Sequence, residues 1–305
     1  MTLNRQWLLK ARPHGMIGPD NFEYTETPIP QIGDGEILVQ NQYLSFDPTQ
    51  RNWMVDRPGY LPPVGMGEVM RAGSVSEVVE SKHPDFKPGE LVQTTGCWQD
   101  FAVVAPGQGP MGVNKLPSGV SPEMMLSILG ITGMTAYFGL LDHGQPEEGE
   151  TVLVSGAAGA TGSVVGQIAK LKGCRTVGIA GGEKKCAWLT DVAKFDSAID
   201  YKSEDVSERI GELCPNKWDV FFDNVAGPIL EAALNHLNLY SRVVMCGGIA
   251  NYNNIEPEPG PNNLMNIVTN RARMQGFIIL DYLPRAMEAI EALVGWVSAG
   301  DIVYE

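Results

Sequence analysis

A glycine-rich turn lies between an apolar run and a helical pattern, where a backbone can approach a phosphate closely. The run Thr151–Ser155 predicts a strand, and the turn Gly156–Gly162 leads from it into the helix. A helix N-terminus offers free N–H groups and a positive dipole end to an anion. Against the Gly-x-Gly-x-x-Gly pattern, Ala157 occupies the first position and Gly159 and Gly162 the others. A tight structural turn could look similar, but the strand-turn-helix context predicts dinucleotide binding.

The end of the second predicted strand, Arg175–Ala180, indicates which dinucleotide is bound. Sheets that bind NAD usually place Asp or Glu there to hold the ribose 2′-hydroxyl. Here two glycines, Glu183, Lys184 and Lys185 follow the strand. A cation beside a small-residue loop suits a 2′-phosphate, so NADP(H) is predicted over NAD(H). Glu183 argues mildly against this, and a solvated helix start would have the same composition.

Two later loops follow strands predicted at Asp219–Phe222 and Arg242–Cys246. Ligands of parallel sheets bind at the carboxyl ends of the strands, so these loops should face the cofactor. Hydride transfer to a carbon–carbon double bond requires an oriented acceptor and a group that steadies the developing enolate. Tyr252, in the second loop, is the candidate acid. A loop tyrosine also often merely packs, and the sequence leaves both interpretations open.

The sequence shows no spacing typical of a metal site. Its five cysteines lack Cys-x-x-Cys spacing, and its four histidines, His14, His83, His143 and His236, have no short-range ligand partner. We therefore predict metal-free chemistry, surface histidines and free thiols in a reducing compartment.

The elements around these residues change in type near Ser121. The first third contains short β-like runs and turns, which predicts a small β domain. From Thr151 onward, near-continuous apolar runs alternate with helical ones, and the sixth is Gln275–Leu280. This alternation predicts an α/β fold with a doubly wound, six-stranded parallel sheet covered on both faces.

Composition excludes several other functions. The chain has 305 residues and a formal net charge of −14, which repels nucleic acids. No apolar run approaches the roughly 18 residues of a membrane span, and the first residues contain no signal-peptide stretch. We expect a cytoplasmic protein that binds neither nucleic acid nor membrane.

The chain resembles the zinc-independent medium-chain reductases of the leukotriene B4 12-hydroxydehydrogenase, prostaglandin reductase, plant double-bond reductase and bacterial curcumin reductase group. The resemblance spans nearly the whole chain. It is carried by five segments in a specific order: Tyr43–Pro48 with Arg51, Gly130–Leu140, Val164–Cys174, Phe222–Val225 and Gln275–Ile279.

The resemblance implies roles for individual residues. A pyrophosphate would lie on Gly159, Ala160, Thr161 and Gly162, and Lys185 with Tyr201 would hold the 2′-phosphate. Tyr252 matches the family tyrosine proposed to assist the enolate. The adenosine and nicotinamide cleft would be lined by Asn224, the stretch Cys246-Gly247 to Tyr252, and Phe277, Ile278 and Ile279.

Three positions depart from the family pattern. Thr49 stands where a bulky aromatic residue is more frequent, and Trp53 where arginine is common, which would reshape the substrate pocket. The family pattern also continues beyond Glu305 with a helix and a strand that hold a nicotinamide-side asparagine. Either the protein functions without this part, or reduced activity or folding is expected.

The resemblance thus implies a GroES-like catalytic domain over residues 1–126, rejoined by 288–305, and a Rossmann NADP-binding domain over 127–287, with the active site between them. The implied reaction is NADPH-dependent reduction of the double bond of α,β-unsaturated ketones or aldehydes. The alternatives are a quinone reductase on the same scaffold, because a quinone is also a conjugated enone, and a cofactor-binding protein without turnover. Homodimers are common among relatives, but no residue of this sequence specifies one.

Overall fold

A computed structural model describes residues 2–108, 112–256 and 258–304. The chain divides into two compact units, Met1–Leu126 and Ser127–Glu305. No helix in the described ranges is both long and apolar enough to cross a bilayer.

The first unit is built mainly from antiparallel strands. Its elements are β1 (Leu3–Leu9), β2 (Phe22–Pro28), β3 (Ile37–Leu44), α1 (Thr49–Trp53), β4 (Ser74–Ser81), β5 (Leu91–Thr94), β6 (Phe101–Val104), β7 (Asn114–Lys115) and α2 (Pro122–Leu126). β1 pairs with β2, and a five-stranded sheet has the order β6-β3-β4-β5-β7. Apolar residues of its strands alternate inward and form a buried cluster of Ile37, Val39, Val78, Val92 and Ala102. The predicted β-rich unit is confirmed.

The second unit alternates strands and helices. Its elements are α3 (Ile131–Phe138), β8 (Thr151–Ser155), α4 (Ala160–Leu171), β9 (Arg175–Ala180), α5 (Glu183–Asp191), β10 (Ser197–Asp200), α6 (Val206–Leu213), β11 (Trp218–Asp223), α7 (Gly227–Ala233), β12 (Leu237–Met245), α8 (Met265–Thr269), β13 (Arg273–Gly276) and α9 (Ala286–Ala299). A π-helical turn covers Gly139–Gly144, and short 3-10 helices cover Ile249–Asn251 and Ile279–Arg285.

The six strands of this unit form one parallel sheet in the order β10-β9-β8-β11-β12-β13. All five residues of β8 are buried, and so are five of the six residues of β11, because helices cover both faces of the sheet. The predicted doubly wound α/β sheet is confirmed. Chain order reverses between β8 and β11, which makes their carboxyl ends the topological switch point.

Two boundaries differ from the sequence prediction. The sixth strand ends at Gly276, whereas the prediction extended it to Leu280. A short apolar run suits a strand or a buried helical segment equally well, and Ile279–Arg285 forms a 3-10 helix. Helix α7 also ends at Ala233, so β12 starts at Leu237, five residues before the predicted start.

The segment 288–305 lies in the second unit, whereas the sequence analysis assigned it to the first. Helix α9 packs against α3, and the Gln167 side chain on α4 holds the following tail. Gln167 Nε2 donates to Val303 O at 2.9 Å, and Val303 N donates to Gln167 Oε1 at 2.8 Å. These long-range contacts carry no local sequence signal.

Candidate functional site

The glycine turn after β8 is shaped so that a backbone can lie directly against a ligand. Gly156 has φ +57°, in the left-handed region that favours glycine. A Cβ at Gly162 would lie 2.4 Å from Gly156 O, so the helix start and the turn touch only because Gly162 has no side chain. Gly159 caps α4, and it and Ala160 are exposed. The first N–H groups of a helix have no partner within it, so this exposed helix start fits a phosphate.

The turn after β9 brings Gly181, Gly182, Lys185 and Tyr201 together. A Cβ at Gly181 would lie 2.8 Å from the Tyr201 ring, which leaves a flat surface beside the strand end. Gly182 has φ +97°, in the left-handed region that favours glycine. Its carbonyl oxygen accepts a hydrogen bond from Lys185 N. The Lys185 side chain is exposed and has no ion-pair or hydrogen-bond partner within residues 2–108, 112–256 and 258–304. An unpaired cation at this position fits a 2′-phosphate.

Asp200, at the end of β10, holds this turn in place. Its Oδ1 accepts from Gly182 N at 2.7 Å and from Lys202 N at 3.0 Å, and its Oδ2 accepts from Ser203 Oγ. These bonds, led by the one from Gly182, lower the pKa of Asp200. The carboxylate therefore stays ionised and engaged with backbone amides rather than with the lysines. Asp200 was not among the predicted site residues, because only the pairing of β10 with β9 brings it beside the Gly-Gly turn.

A hydrogen-bonded cluster joins β8 to β11 at the switch point. Ser155 Oγ donates to Asp223 Oδ1 at 2.6 Å and accepts from Asn224 N at 2.9 Å, and Asn224 Nδ2 donates to Ser155 O at 2.7 Å. Asp223 also accepts from the amides of Val225 and Ala226. Burial raises the pKa of Asp223, and the hydrogen bonds from Ser155 and the two amides oppose that rise. The sequence analysis predicted Asn224 for this site but gave neither Ser155 nor Asp223 a role.

The loop after β12 is tied to the same segment. Cys246 N and Gly247 N both donate to Asp223 O, and Ile249 N donates to Asn224 O. A Cβ at Gly247 would lie 3.2 Å from Asn224 O and 3.5 Å from the Tyr252 hydroxyl oxygen. Glycine at this position therefore eases the close approach of the loop to Asn224, and the hydroxyl of the half-buried Tyr252 lies next to it. Burial raises the pKa of the Cys246 thiol to about 12, and the nearby Asp223 charge adds to the effect.

The Phe277 ring packs against residues of the second unit, beside Gly139, Phe222 and His143. A Cβ at Gly139 would lie 2.5 Å from the Phe277 ring and 2.7 Å from the Phe222 ring. The Phe277 ring also stacks on His143 with centroids 5.1 Å apart. His143 Nε2 in turn lies 2.6 Å from the Tyr282 hydroxyl. The side chain thus packs within the unit, and its contribution to a cofactor surface would come through its backbone and through Ile278 and Ile279.

Three of the predicted surface histidines, His83, His143 and His236, are partly buried. His143 belongs to the aromatic packing just described, and His236 Nε2 lies 3.1 Å from Ser207 Oγ. Burial lowers the pKa of His236. Among the described residues, no group of three or more His, Cys, Asp or Glu side chains is arranged to hold a metal ion.

The two substitutions predicted to reshape the substrate pocket lie in different surroundings. Thr49 Oγ1 is hydrogen-bonded to the Tyr60 hydroxyl at a partly exposed position. Trp53 packs against the buried cluster of the first unit that includes Leu9 and Met54, and Arg71 lies 5.2 Å from its ring centroid. The Trp53 ring thus contributes to the packing of the first unit, and its effect on the substrate pocket stays a prediction.

Comparison with known proteins extends over almost the whole chain. Residues 5–113 match the family model described as the N-terminal domain of oxidoreductase, and residues 160–297 match the one described as zinc-binding dehydrogenase. NADPH-dependent curcumin reductase of Escherichia coli is 42% identical over 306 aligned positions, which cover 99% of this chain and 88% of the relative. The chain belongs to the zinc-independent medium-chain dehydrogenase/reductase family.

Further members of this family match over the same length. The NADP+-dependent 2-alkenal reductase of Nicotiana tabacum is 36% identical, with 99% of this chain and 88% of the relative covered. The crystal structure of CurA from Vibrio vulnificus in complex with NADPH superimposes with a TM-score of 0.93 at 42% identity, with 99% of this chain and 90% of that one covered. This medium-chain reductase therefore shares its full fold with a relative that holds NADPH.

Proposed function

We propose that this medium-chain reductase transfers a hydride from NADPH to the carbon–carbon double bond of α,β-unsaturated ketones or aldehydes. The observation that carries the proposal is the placement of two features at one edge of one sheet. The glycine turn at Gly162 offers a phosphate cradle, and the Tyr252 hydroxyl lies beside Gly247 at the same carboxyl edge. The curcumin and alkenal reductases at 42% and 36% identity support the same reaction class.

The residues present fit NADPH from one end to the other. The pyrophosphate would lie on Gly159, Ala160, Thr161 and Gly162, where α4 begins and where Gly159 and Ala160 are exposed. Lys185 and Tyr201 would hold the 2′-phosphate. The exposed Lys202, next to Tyr201 in the chain, would add a second cation there and was not predicted from the sequence. Asn224, Cys246, Gly247, Ile278 and Ile279 would border the remaining half, because they follow the carboxyl ends of β11, β12 and β13.

When bound, NADPH supplies the hydride, so the protein needs to orient the acceptor and to stabilise the charge that develops on it. The hydride adds to the β-carbon of the enone, and the electron pair of the double bond moves to the carbonyl oxygen as an enolate. The α-carbon then takes a proton. The Tyr252 hydroxyl would donate a hydrogen bond to the enolate oxygen, which is stronger in the transition state than in the ground state.

Two alternative functions remain open to test. A quinone is also a conjugated enone and would use the same hydride, whereas a cofactor-binding protein without turnover would bind NADPH and oxidise none of it. Turnover is preferred because the relatives at 42% and 36% identity are reductases, and because Tyr252 supplies a hydroxyl at the strand ends.

NADPH oxidation measured under three conditions distinguishes these functions. The protein is mixed with an alkenone, with a quinone, or with no acceptor, and the loss of NADPH absorbance is followed together with product analysis. We expect rapid oxidation with the alkenone and a saturated ketone as product. Faster turnover of the quinone would favour quinone reduction, and tight NADPH binding without oxidation would favour the non-catalytic alternative. Dialysis against a strong chelator should leave the alkenone activity unchanged.

The thiols of the protein indicate its cellular compartment. All five cysteines are free, which favours a reducing compartment such as the cytoplasm.

Strand β13 ends the parallel sheet and has an unpaired outer edge within the described residues. Such an edge can pair with the same strand of a second copy, so a homodimer is part of the proposal, to be checked by light scattering.

A further inference from the structure

A carboxylate lies at the switch point of the parallel sheet. Asp223 ends β11 and is bonded to Ser155, which ends β8, and chain order reverses between these two strands. In doubly wound sheets the ligand binds outside the strands at this point. Asp223 is fully buried. Water therefore screens its charge poorly, and its field reaches farther into the adjoining ligand site than that of an exposed carboxylate.

The neighbours of Asp223 favour its ionised form. Oδ1 accepts from Ser155 Oγ at 2.6 Å and from Val225 N at 2.9 Å, and Ala226 N lies 3.0 and 3.1 Å from the two oxygens. The amides can only donate, and Ser155 Oγ already accepts from Asn224 N, so its own proton points to the carboxylate. Three donors stabilise the anion, and Ala226 N is shared between the two carboxylate oxygens, whereas burial favours the acid and raises the pKa of Asp223. Within the described residues, no Lys, Arg or His forms an ion pair with Asp223.

The switch point would also separate the two halves of a bound dinucleotide. Lys185 and Tyr201 lie beyond β9, on the side proposed for the 2′-phosphate, and the pyrophosphate would lie at the start of α4 between the two halves. The nicotinamide half is left with the ends of β11, β12 and β13. Asp223 ends the first of these strands, so its negative charge lies on the nicotinamide side of the site.

We propose that Asp223 shifts the redox balance of the bound cofactor by favouring NADP+ over NADPH. This inference rests on the proposed function, because it takes the nicotinamide to lie at the ends of β11 to β13. The nicotinamide ring is neutral in NADPH and positively charged once the hydride and its electron pair have left. The phosphates have the same charge in both forms, so their repulsion from Asp223 cancels in the comparison. A unit charge about 10 Å from the ring would change the balance roughly tenfold at an effective dielectric constant of about 20.

The test is equilibrium binding of both cofactors without substrate. Isothermal titration calorimetry gives the ratio of the NADPH Kd to the NADP+ Kd for the wild-type protein, for Asp223→Asn and for Ser155→Ala. The first variant removes the charge, and the second removes a hydrogen bond to the same carboxylate but leaves its charge in place. We expect the ratio to fall about tenfold in Asp223→Asn, and to change less than about twofold in Ser155→Ala even though both affinities drop.

Three results would overturn the proposal. The ratio could stay at its wild-type value in an Asp223→Asn protein that binds both cofactors, or it could fall equally in Ser155→Ala, which would assign the effect to loop structure. A wild-type protein that binds neither cofactor would overturn the proposed function itself, and with it this inference. If circular dichroism shows that Asp223→Asn does not fold, Asp223→Ser takes its place, because the serine hydroxyl can still accept from an amide while the charge is absent. The expected tenfold fall is the same.

Discussion

Gly162, in the first turn of α4, lies directly against the backbone of Gly156, and a Cβ at position 162 would be 2.4 Å from Gly156 O and 2.9 Å from Ala157 Cα. Backbone atoms cannot swing aside as a flexible side chain can. The shape of the phosphate turn therefore depends on the absence of a single methyl group at this contact.

Gly162→Ala should displace the turn and weaken the cofactor site. Overpacking of this kind costs about 1–3 kcal/mol, so we expect a lower midpoint of thermal unfolding and at least roughly tenfold weaker NADPH binding. Fluorescence titration measures the affinity. Gly295→Ala is the matched control, because nothing lies within 4 Å of its added Cβ and alanine favours the helix interior. Equal NADPH affinities of the two variants would contradict the prediction.

Lys185→Ala should discriminate between the two cofactors. Loss of a charge-assisted bond to a phosphate costs roughly 1.5–3 kcal/mol, which corresponds to about 10–100-fold in affinity. We expect NADPH binding to weaken by that factor and NADH binding to change little. Lys184→Ala removes a neighbouring exposed charge and should affect NADPH far less. Parallel weakening of NADPH and NADH binding would show that Lys185 does not contact the 2′-phosphate.

Tyr252→Phe should slow hydride transfer and leave cofactor binding almost unchanged. A hydrogen bond made mainly in the transition state affects kcat more than binding, and we expect a fall of roughly 10–100-fold because water can protonate the product instead. Single-turnover oxidation of bound NADPH by an alkenone measures the step. Tyr240→Phe, at a tyrosine that is 66% exposed, is the control. A wild-type rate in Tyr252→Phe would leave Tyr252 as a packing residue only.

Gly139→Ala should destabilise the second unit. The added methyl group would collide with the rings of Phe277 and Phe222, and overpacking there costs about 1–3 kcal/mol. Each kcal/mol lowers the Tm by roughly 2–4 °C for a unit of this size. Differential scanning calorimetry measures the shift. Because Phe277 is the closer neighbour, the double variant Gly139→Ala/Phe277→Leu should recover part of the loss, and an even lower Tm would refute this packing argument.

The thiols of Cys174, Cys214 and Cys246 should resist alkylation in the folded protein. Burial raises the pKa of Cys174 and of Cys214 to about 11 and that of Cys246 to about 12. A raised thiol pKa means less thiolate, so at pH 8 only about one molecule in a thousand or fewer is reactive at these positions. Mass spectrometry after brief iodoacetamide treatment should find them unmodified, whereas the same treatment in urea should label all three. Fast labelling of Cys174 or Cys214 in the folded state would contradict the burial of their side chains.

The sequence by itself was sufficient for the parts of the fold that depend on local patterns. The parallel sheet follows from apolar runs that alternate with helical periods, and the phosphate turn follows from glycine spacing between a strand and a helix. The strand-end loops that hold Asn224 and Tyr252 were predicted for the same reason, since strand ends in a parallel sheet share one edge.

Only the tertiary structure decided which distant residues meet. Ser155 and Asp223 are 68 positions apart, and they pair because strand order places β8 beside β11. Phe277 was predicted to lie in a strand, whereas in the structure its ring fills the space that Gly139 leaves open. The tail near Val303 is bound to α4 through Gln167. Such contacts depend on how whole elements pack, and no spacing along the chain encodes that packing. Local periodicity reports which face of an element is apolar, whereas the partner of that face is chosen only when the chain folds.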